Sequence, residues 1–272
     1  MDRYAVMGNP IKHSKSPQIH KAFAEQTDQE LSYVAIQVEL DGFQQAVKSF
    51  QREGGKGLNV TVPFKQEAYD FADELSERAE LGKAVNTLIM QKNGTIRGDN
   101  TDGVGLVRDI INNHDGVIAN KRILVVGAGG AVRGVLGPLL AENPRELIIT
   151  NRTLQKAIQL AEDFSPYGNI EACAFNRLKG PFDWIINGTA ASLQGEVPPL
   201  PESIIDENTR CYDMMYAKEV TPFNQWALDY GAKAAYDGIG MLVEQAAESF
   251  RLWRGVMPAT RMVINELKAS GQ

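Results

Sequence analysis

The sequence lacks several features that define whole classes of protein. No apolar run in its 272 residues approaches the length of a membrane-spanning helix, and the first residues lack the apolar core of a signal peptide. The chain has no basic block and no basic patch interleaved with aromatic residues, and its formal net charge is -6, which argues against nucleic-acid binding. We therefore expect a cytoplasmic protein with no membrane and no nucleic acid among its partners.

Residues that form disulfides or bind metals are also scarce. Cys173 and Cys211 stand alone, without a Cys-x-x-Cys pair, and are expected to be buried thiols. The histidines His13, His20 and His114 are scattered, without the spacing of a metal site. We predict neither a disulfide nor a metal centre.

The most informative stretch runs from Arg122 to Arg152. Ile123–Val126 is a β-branched apolar run typical of a buried parallel strand, and a glycine-rich turn, a helical pattern and a second strand over Glu146–Ile149 follow it. This order predicts a dinucleotide-binding βαβ unit, because the turn lets backbone N–H groups approach a pyrophosphate at a helix N-terminus. The predicted pyrophosphate site comprises Gly127, Ala128, Gly129, Gly130 and Ala131.

Two departures from the usual dinucleotide fingerprint bear on the cofactor. Val132 stands where a third small residue serves close helix–strand packing, so it bears on the packing distance more than on the phosphate site. An NAD site usually ends the second strand with an acid, whereas this strand ends in Asn151-Arg152, with Lys156 a turn later. A guanidinium pairs with a 2′-phosphate, so we favour NADP. The alternative is that Arg152 and Lys156 are solvated residues at a helix start.

Polar residues near helix starts are conspicuous in the first hundred residues. The pattern makes Ser16 an N-cap with Pro17 at the first helical position, and Ser14 and Ser16 could also form a carboxylate cradle. Lys65 follows a strand over residues 57–62 and starts a helical pattern over residues 65–83. Strand ends are where α/β proteins place their chemistry, although a surface lysine is the alternative.

The next segment predicts a hairpin and a domain boundary. Asn93-Gly94 between two short strands is typical of a type I′ hairpin turn. Asp102 follows a polar, glycine-bounded segment and precedes a helix that leads to the dinucleotide unit. Asp102 is therefore either an N-cap or a residue at the seam of two domains, where substrate pockets are common.

Seven short motifs follow one another along essentially the whole chain. They are Asn59-Val-Thr-Val-Pro-Phe-Lys65, Ala84-Val-Asn-Thr87, Asp99-Asn-Thr-Asp-Gly103, Gly127-Ala-Gly-Gly-Ala131, Asn151-Arg-Thr153, Tyr212-Asp-Met214 and Asp237-Gly-Ile-Gly-Met241. In this order and spacing the chain resembles the shikimate dehydrogenase family. It departs from the family's usual Asn-Ala-Thr-Ser-x-Gly at Gly188, Ala190 and Ser192, which leaves the shape of this loop open.

The resemblance implies the reversible, NADPH-dependent reduction of 3-dehydroshikimate to shikimate, a step towards chorismate and the aromatic amino acids. It implies that Lys65 and Asp102 are the catalytic pair. With them, the implied substrate ligands are Ser14, Ser16, Thr61, Asn86, Tyr216 and Gln245. Besides the glycine-rich turn, the implied cofactor neighbours are Glu77, Asn151, Arg152, Thr153, Lys156, Thr189, Met214, Gly238 and Met241.

The chemistry of these residue types agrees with the implied reaction. Reduction of a ketone needs a proton donor for the developing alkoxide, and a lysine both donates the proton and stabilises the charge. Asp102 would hold the Lys65 ammonium in place, although a structural ion pair is the alternative. Tyr216 could instead be a core aromatic, and Gln245 could face solvent.

We therefore predict two α/β domains, the second a Rossmann-type dinucleotide-binding domain, with the active site in the cleft between them. The predicted substrate domain is 1–101 plus 238–272, and the NADP domain is 102–237. The oligomeric state is left open between monomer and homodimer. Three rival functions remain: a quinate/shikimate dehydrogenase that uses NAD, a folate-type dehydrogenase, and a non-catalytic NADP-binding regulator.

Overall fold

The computed structural model describes residues 1–270. The chain divides into two compact units, the first comprising Met1–Gly105 with Val243–Glu266, the second Leu106–Leu242 with the described residues after Glu266. Each unit contains one six-stranded sheet, so the prediction of two α/β domains is confirmed. Among the helices of residues 1–270, none combines the length and the apolar character needed to span a membrane.

The first unit is built on a mixed sheet of strand order β2-β1-β3-β5-β6-β4. Its strands are β1 (Asp2–Gly8), β2 (Leu31–Gln37), β3 (Gly55–Val60), β4 (Glu74–Leu75), β5 (Thr87–Met90) and β6 (Ile96–Asp99). The first five helices of the chain start in this unit: α1 (Ser16–Gln26), α2 (Phe43–Arg52), α3 (Lys65–Phe71), α4 (Glu77–Gly82) and α5 (Asp102–Arg108). Strand β5 runs antiparallel to β3 and β6, whereas β1 is parallel to β2 and β3.

Helix positions in this unit follow from burial of apolar side chains on the sheet. Phe43 and Val47, four residues apart on α2, are fully buried, and the ring of Phe43 stacks on that of Phe64 with centroids 5.0 Å apart. Phe64 is the residue before α3, so its burial fixes the point at which α3 and Lys65 leave the sheet.

The predicted single helix over residues 65–83 is wrong. Helix α3 ends at Phe71 because Ala72 adopts an extended conformation, after which β4 pairs with β6. The side chain of Ser76 then accepts a hydrogen bond from the backbone N–H of Ala79 and starts α4. Strand pairing and a new cap therefore override a helical apolar pattern.

The predicted type I′ turn at Asn93-Gly94 is also wrong. A type I′ turn needs positive φ at both central residues, but of these two only Gly94 has it, at φ 90. The turn spans Gln91–Gly94, closed by the Gly94 N–H on the Gln91 carbonyl. The Asn93 side chain instead accepts from the backbone N–H of Thr95.

The second unit has an all-parallel sheet of order β12-β11-β10-β7-β8-β9. Its strands are β7 (Arg122–Val126), β8 (Glu146–Thr150), β9 (Ile170–Ala172), β10 (Trp184–Asn187), β11 (Arg210–Asp213) and β12 (Ala234–Tyr236). The helices that start in this unit are α6 (Gly130–Ala141), α7 (Leu154–Phe164), α8 (Pro222–Asp229) and α9 (Ile239–Arg254), the last of which ends in the first unit. Helix α10 (Arg261–Ala269) starts in the first unit and ends in the second.

This strand order confirms the Rossmann-type domain. The chain proceeds outward from β7 to β8 and β9, then returns to place β10 on the other side of β7. The strand order therefore reverses between β7 and β10, and ligands of open α/β sheets bind beyond the carboxyl ends of the strands at such a point. The residues that follow these two strands are Gly127 and Gly188.

Candidate active site

The predicted catalytic pair is formed in the first unit. Lys65 is the first residue of α3, and Asp102 is the first residue of α5, which follows β6. The Lys65 Nζ donates a hydrogen bond to Asp102 Oδ2 over 2.7 Å. The side chains of Lys65 and Asp102 are 33% and 17% exposed, so the ion pair is only partly buried.

Asn86 joins this pair from the segment before β5. Its Nδ2 lies 2.9 Å from Asp102 Oδ1 and 3.1 Å from Gln245 Oε1. Its Oδ1 accepts from the Thr101 N–H and the Thr87 hydroxyl, which fixes the orientation of the amide. Asn86 therefore presents donors to Asp102 and Gln245 from a buried position.

Gln245 lies on α9, in the part of that helix that belongs to the first unit. Because its amide oxygen lies within hydrogen-bonding distance of Asn86, it is not a solvent-facing residue remote from the site. Four segments distant in sequence thus bring Lys65, Asn86, Asp102 and Gln245 together.

A buried ion network beneath this cluster was not predicted from the sequence. Arg78 makes a bidentate pair with Asp99, at 2.6 and 3.1 Å, and reaches Glu248 Oε1 at 3.0 Å. Asp99 lies three residues before Asp102, and Glu248 three residues after Gln245 on α9. The Arg78 guanidinium therefore joins the end of β6, shortly before Asp102, to helix α9, which carries Gln245.

The serine pair lies at the start of α1, with Ser14 half-buried and Ser16 buried. The predicted N-cap at Ser16 is wrong, because α1 already includes Ser16 and is preceded by Lys15, which makes no side-chain cap. Instead, the Ser14 hydroxyl accepts from the Ser16 N–H at 3.3 Å. Ser14 thus orders the turn into the helix, the role that sequence reasoning gave to Ser16.

Thr61 lies just beyond β3, where its N–H donates to the Met7 carbonyl over 3.0 Å. Among the described residues no hydrogen bond joins Thr61 to Ser14 or Ser16, so the Ser14/Ser16 carboxylate cradle and the implied role of Thr61 as a substrate ligand stay separate predictions. Gly8 permits the close approach of Thr61 to the end of β1, because a Cβ on Gly8 would lie 2.5 Å from Thr61 Cγ2.

Asn59 is the centre of a buried hydrogen-bond network in the first unit. Its Nδ2 lies 3.1 Å from the Asn86 carbonyl and 3.1 Å from Ser249 Oγ, and its Oδ1 accepts from the Tyr33 hydroxyl at 2.7 Å. His20 Nε2 lies 3.2 Å from the same oxygen. Asn59 stands in a motif that the sequence singled out, but its role depends on contacts that only the fold creates.

The glycine-rich turn has the geometry that a pyrophosphate site needs. Gly127 has φ 113, a conformation that L side chains rarely adopt, and a Cβ on Gly129 or Gly130 would meet nothing within 4 Å. Ala131 is also exposed, and no side chain caps α6. Its first N–H groups therefore face open space, which fits an anion at the helix N-terminus. Ala128 is half-buried within the turn.

The end of β8 supplies free positive charge. Arg152 and Lys156 are exposed, and neither has an ion-pair or hydrogen-bond partner among the described side chains. Asn151 Nδ2 donates to the carbonyl of Thr153, which precedes α7 without capping it by its side chain. Two unpaired cations at the position that contacts the ribose suit a 2′-phosphate.

Four other predicted cofactor neighbours belong to the second unit. Met214 lies beyond β11 with its Sδ 3.2 Å from the position of a Cβ on Gly188, which precedes Thr189. Gly238 packs against it, since a Cβ there would lie 2.3 Å from the Met214 carbonyl oxygen. The Met241 N–H, in the first turn of α9, donates to the Tyr212 hydroxyl at 3.3 Å.

Tyr216 and Glu77 complete the predicted set. Tyr216 lies two residues beyond Met214 in the second unit, and its 37% exposure rules out a core aromatic. Burial of the remainder raises the pKa of its hydroxyl, which therefore stays a hydrogen-bond donor. Glu77 is an exposed residue at the start of α4 in the first unit.

The cysteine and metal predictions concern residues away from these clusters. Both cysteines are free thiols, with Cys211 buried and Cys173 partly exposed. Burial raises the pKa of Cys211 to about 12. Within residues 1–270 no group of three or more His, Cys, Asp or Glu side chains could hold a metal ion.

Comparison with known proteins places the chain in one family along its length. Residues 6–88 match the model of the shikimate dehydrogenase substrate binding domain, residues 109–194 that of shikimate / quinate 5-dehydrogenase, and residues 238–267 that of the shikimate 5′-dehydrogenase C-terminal domain. The shikimate dehydrogenase (NADP(+)) of Psychromonas ingrahamii is 57% identical over 268 residues, 98% of each chain.

Solved structures agree with this result. An Ael1 enzyme from Pseudomonas putida is 46% identical, with a TM-score of 0.94 over 98% of each chain. The shikimate 5-dehydrogenase of Thermus thermophilus, solved in complex with NADP(H) and shikimate, is 31% identical, with a TM-score of 0.88 over 100% of each chain. From its sequence matches and its fold alike, the chain belongs to the shikimate dehydrogenase family.

Proposed function

We propose that this protein is an NADP-dependent shikimate dehydrogenase, which reduces 3-dehydroshikimate to shikimate reversibly on the route to chorismate and the aromatic amino acids. One observation carries the proposal: a proton donor, Lys65, and its partner Asp102 lie in one cluster with two amides, Asn86 and Gln245. The names of the relatives agree with this function.

The substrate is a ring with one carboxylate and several oxygen substituents, and the first unit offers groups of matching polarity. We assign its carboxylate to Ser14, Ser16 and Thr61, since hydroxyls donate to anions. Its hydroxyls are assigned to Asn86 and Gln245, whose amides both donate and accept. Tyr216 is proposed as a further ligand, because the residue is partly exposed and its hydroxyl remains protonated.

NADPH supplies the hydride when bound. We assign its pyrophosphate to the turn Gly127–Ala131, where a side chain on Gly129 would meet open space, and its 2′-phosphate to the unpaired Arg152 and Lys156. Asn151 and Thr153 flank these cations. The nicotinamide side is assigned to Thr189, Met214, Gly238 and Met241. The assignment of Glu77 rests on the family resemblance alone.

Lys65 performs the proton transfer in this proposal. As the carbonyl carbon of 3-dehydroshikimate gains a hydride, its oxygen becomes an alkoxide, and the Lys65 ammonium gives it a proton to form the hydroxyl of shikimate. In the reverse direction neutral Lys65 accepts that proton. Asp102 holds the Nζ at 2.7 Å and so orients it. The overall change consumes one NADPH and one proton and yields one NADP⁺.

The domain roles follow from these assignments. We propose that residues 1–101 with 238–272 bind the substrate and that residues 102–237 bind NADP. Both reactants are small charged metabolites, so we also propose a cytoplasmic enzyme that acts as a monomer or a homodimer.

The rival functions are less well supported. An NAD-dependent enzyme would be expected to carry an acid in place of Asn151-Arg152, where this chain has an amide and a cation. A folate-type dehydrogenase would not need the serine pair beside Lys65 and Asp102. A non-catalytic NADP-binding regulator would have no need to keep Lys65 and Asp102 in contact.

One assay tests the proposal. The purified protein is mixed with shikimate or quinate and with NADP⁺ or NAD⁺, and reduced cofactor is followed by its absorbance. We expect turnover with shikimate and NADP⁺, with much lower kcat/KM for the other three combinations. Absence of turnover with shikimate and either cofactor, from protein that unfolds cooperatively, would reject the proposed function.

A further inference from the structure

Asp213, the last residue of β11, is a buried carboxylate that the proposed chemistry does not use. It accepts four hydrogen bonds from within the second unit. Its Oδ1 accepts from Asn187 Nδ2 and from the Met215 N–H, both at 3.1 Å. Its Oδ2 accepts from the hydroxyls of Ser192, at 2.6 Å, and Thr221, at 2.7 Å. None of these donors is a cation, so Asp213 does not serve a buried ion pair.

The donors belong to two different loops. Asn187 and Ser192 bracket the loop after β10, which contains Thr189. Met215 and Thr221 bracket the loop after β11, which contains Tyr216. One carboxylate therefore fixes both ends of each loop.

The position of Thr189 depends on this carboxylate through Asn187. Because Asn187 Nδ2 is directed to Asp213, its Oδ1 faces Thr189, where it accepts from the N–H at 3.1 Å and from the hydroxyl at 2.8 Å. The single hydroxyl proton of Thr189 is thus donated to Asn187, so this hydroxyl can meet a ligand only as an acceptor. The Ala191 N–H also points to this hydroxyl, at 3.3 Å.

Ser192 is one of the departures from the pattern Asn-Ala-Thr-Ser-x-Gly. It stands where the resembling family usually has glycine, which has no side chain to reach Asp213. Its hydroxyl makes the shortest of the four bonds to the carboxylate. Ser192 is half-buried and caps no helix, whereas Thr221 also accepts from the Asn224 N–H as the N-cap of α8.

We propose that Asp213 is a positioning residue that fastens the Thr189 loop to the Tyr216 loop, and that Ser192 is the side chain that closes the first loop onto it. The proposal rests on the proposed function, because the proposed function assigns Thr189 to the cofactor and Tyr216 to the substrate. Neither Asp213 nor Ser192 touches the reacting atoms. They act by holding groups that do, and misplacement of such groups by about 1 Å can lower a rate by roughly 10²-fold.

The test is Ser192→Ala in the full chain, with Ser203→Ala as the matched control. Ser203 is an exposed serine of the same unit without a side-chain partner among the described residues. We expect Ser192→Ala to remain folded but to melt a few degrees lower, because a bond to a buried carboxylate is lost. It should also lower kcat about tenfold and raise the KM for NADPH. The KM for shikimate should change less than twofold, since the Tyr216 loop keeps its own two bonds to Asp213.

A kinetic isotope effect separates positioning from stability. With NADPH deuterated at the transferred hydrogen, Ser192→Ala should show a larger isotope effect on kcat than wild type, because hydride transfer becomes slower relative to the other steps. A side chain that only stabilises the fold would change the melting temperature and leave this effect unaltered. Ser203→Ala should match wild type in all measurements.

A second variant tests the carboxylate itself. Asp213→Asn presents an amide group to donors and should lower kcat at least as much as Ser192→Ala. The double variant Ser192→Ala/Asp213→Asn should be no slower than Asp213→Asn alone, because the hydroxyl acts through the carboxylate. If Asp213→Asn does not fold, the kinetics of Ser192→Ala still test the positioning role. Unchanged kcat, NADPH KM and isotope effect in Ser192→Ala overturn the proposal, while a wild-type protein without turnover would reject the proposed function instead.

Discussion

Asp102→Asn tests the central feature of the proposed mechanism, the contact between Asp102 and Lys65. The two carboxylate oxygens of Asp102 face two donors, Lys65 Nζ at 2.7 Å and Asn86 Nδ2 at 2.9 Å. An asparagine has one oxygen and one NH₂ group, so in either orientation one of these donors meets another donor. The variant keeps the volume of the side chain and removes its charge.

The expected magnitude follows from the bond that is lost. A hydrogen bond to a charged group contributes about 1.5–3 kcal/mol, and each 1.36 kcal/mol is roughly tenfold in rate, so kcat should fall by about 10- to 150-fold. The Lys65 side chain is 33% exposed, so the pair should contribute less than about 1 kcal/mol to stability. The variant should therefore be slow but well folded.

Lys65→Met and the double variant complete the experiment. Loss of the proton donor should lower kcat by roughly 10²–10⁴-fold. If Asp102 acts by orienting Lys65, the double variant should be about as slow as Lys65→Met, since groups that act as a unit are not additive. Lys56→Met, an exposed lysine of β3, serves as the control. The assay is steady-state turnover of shikimate with NADP⁺, after thermal unfolding has confirmed the fold. Near-normal kcat in Lys65→Met, or a double loss equal to the product of the single losses, would refute the mechanism.

Three further predictions concern the cofactor site, the core and pH. Arg152→Ala should weaken the binding of NADPH by about 10- to 150-fold and that of NADH far less, because only NADPH has a 2′-phosphate for the guanidinium. Titration calorimetry measures both affinities, and equal losses would remove Arg152 from that site. Gly188→Ala should destabilise by about 1–3 kcal/mol in urea, since its Cβ would lie 2.4 Å from Val132 Cγ2, and adding Val132→Ala should recover part of this loss. Burial lowers the pKa of His20 from 6.5 to about 3, so between these values the unfolded chain binds a proton that the folded chain does not. Stability should thus fall by up to about 1.4 kcal/mol per pH unit on acidification, and a urea series in which His20→Gln keeps the same slope would contradict this.

The features that the sequence predicted well are local. The strand, glycine turn and helix at Val126–Gly130 follow from apolar patterning and from backbone freedom, both of which act over a few residues. The proximity of Lys65 and Asp102 could be inferred only because the family resemblance supplied it. Their contact joins the starts of two helices that follow different strands, a relation that no local pattern encodes.

The incorrect predictions were also local, and each was overridden by a distant partner or a neighbouring side chain. The helical pattern across residues 65–83 is interrupted because β4 pairs with β6, about twenty residues later. Ser16 lost its expected role as a cap because Ser14 orders the turn instead. Asn59, Arg78 and Asp213 could not be assigned roles at all, since their partners come from elements far apart in sequence.

Val132 and Gly188 show how two departures from motifs can have one cause. Taken singly, Val132 is too large for the third small position of the dinucleotide fingerprint, and Gly188 is too small for a family position that usually holds alanine. In the fold, Val132 Cγ2 lies 2.4 Å from the position that a Cβ on Gly188 would occupy, so the valine fills the volume that the alanine would need. Val132 also lies against Gly127, at 3.1 Å from the position of its Cβ, which leaves the turn itself intact. The packing distance between α6 and the sheet is therefore kept because volume is exchanged between a side chain of α6 and the loop after β10. A motif that is scored one position at a time would count two defects here, although the two departures form one compensated contact.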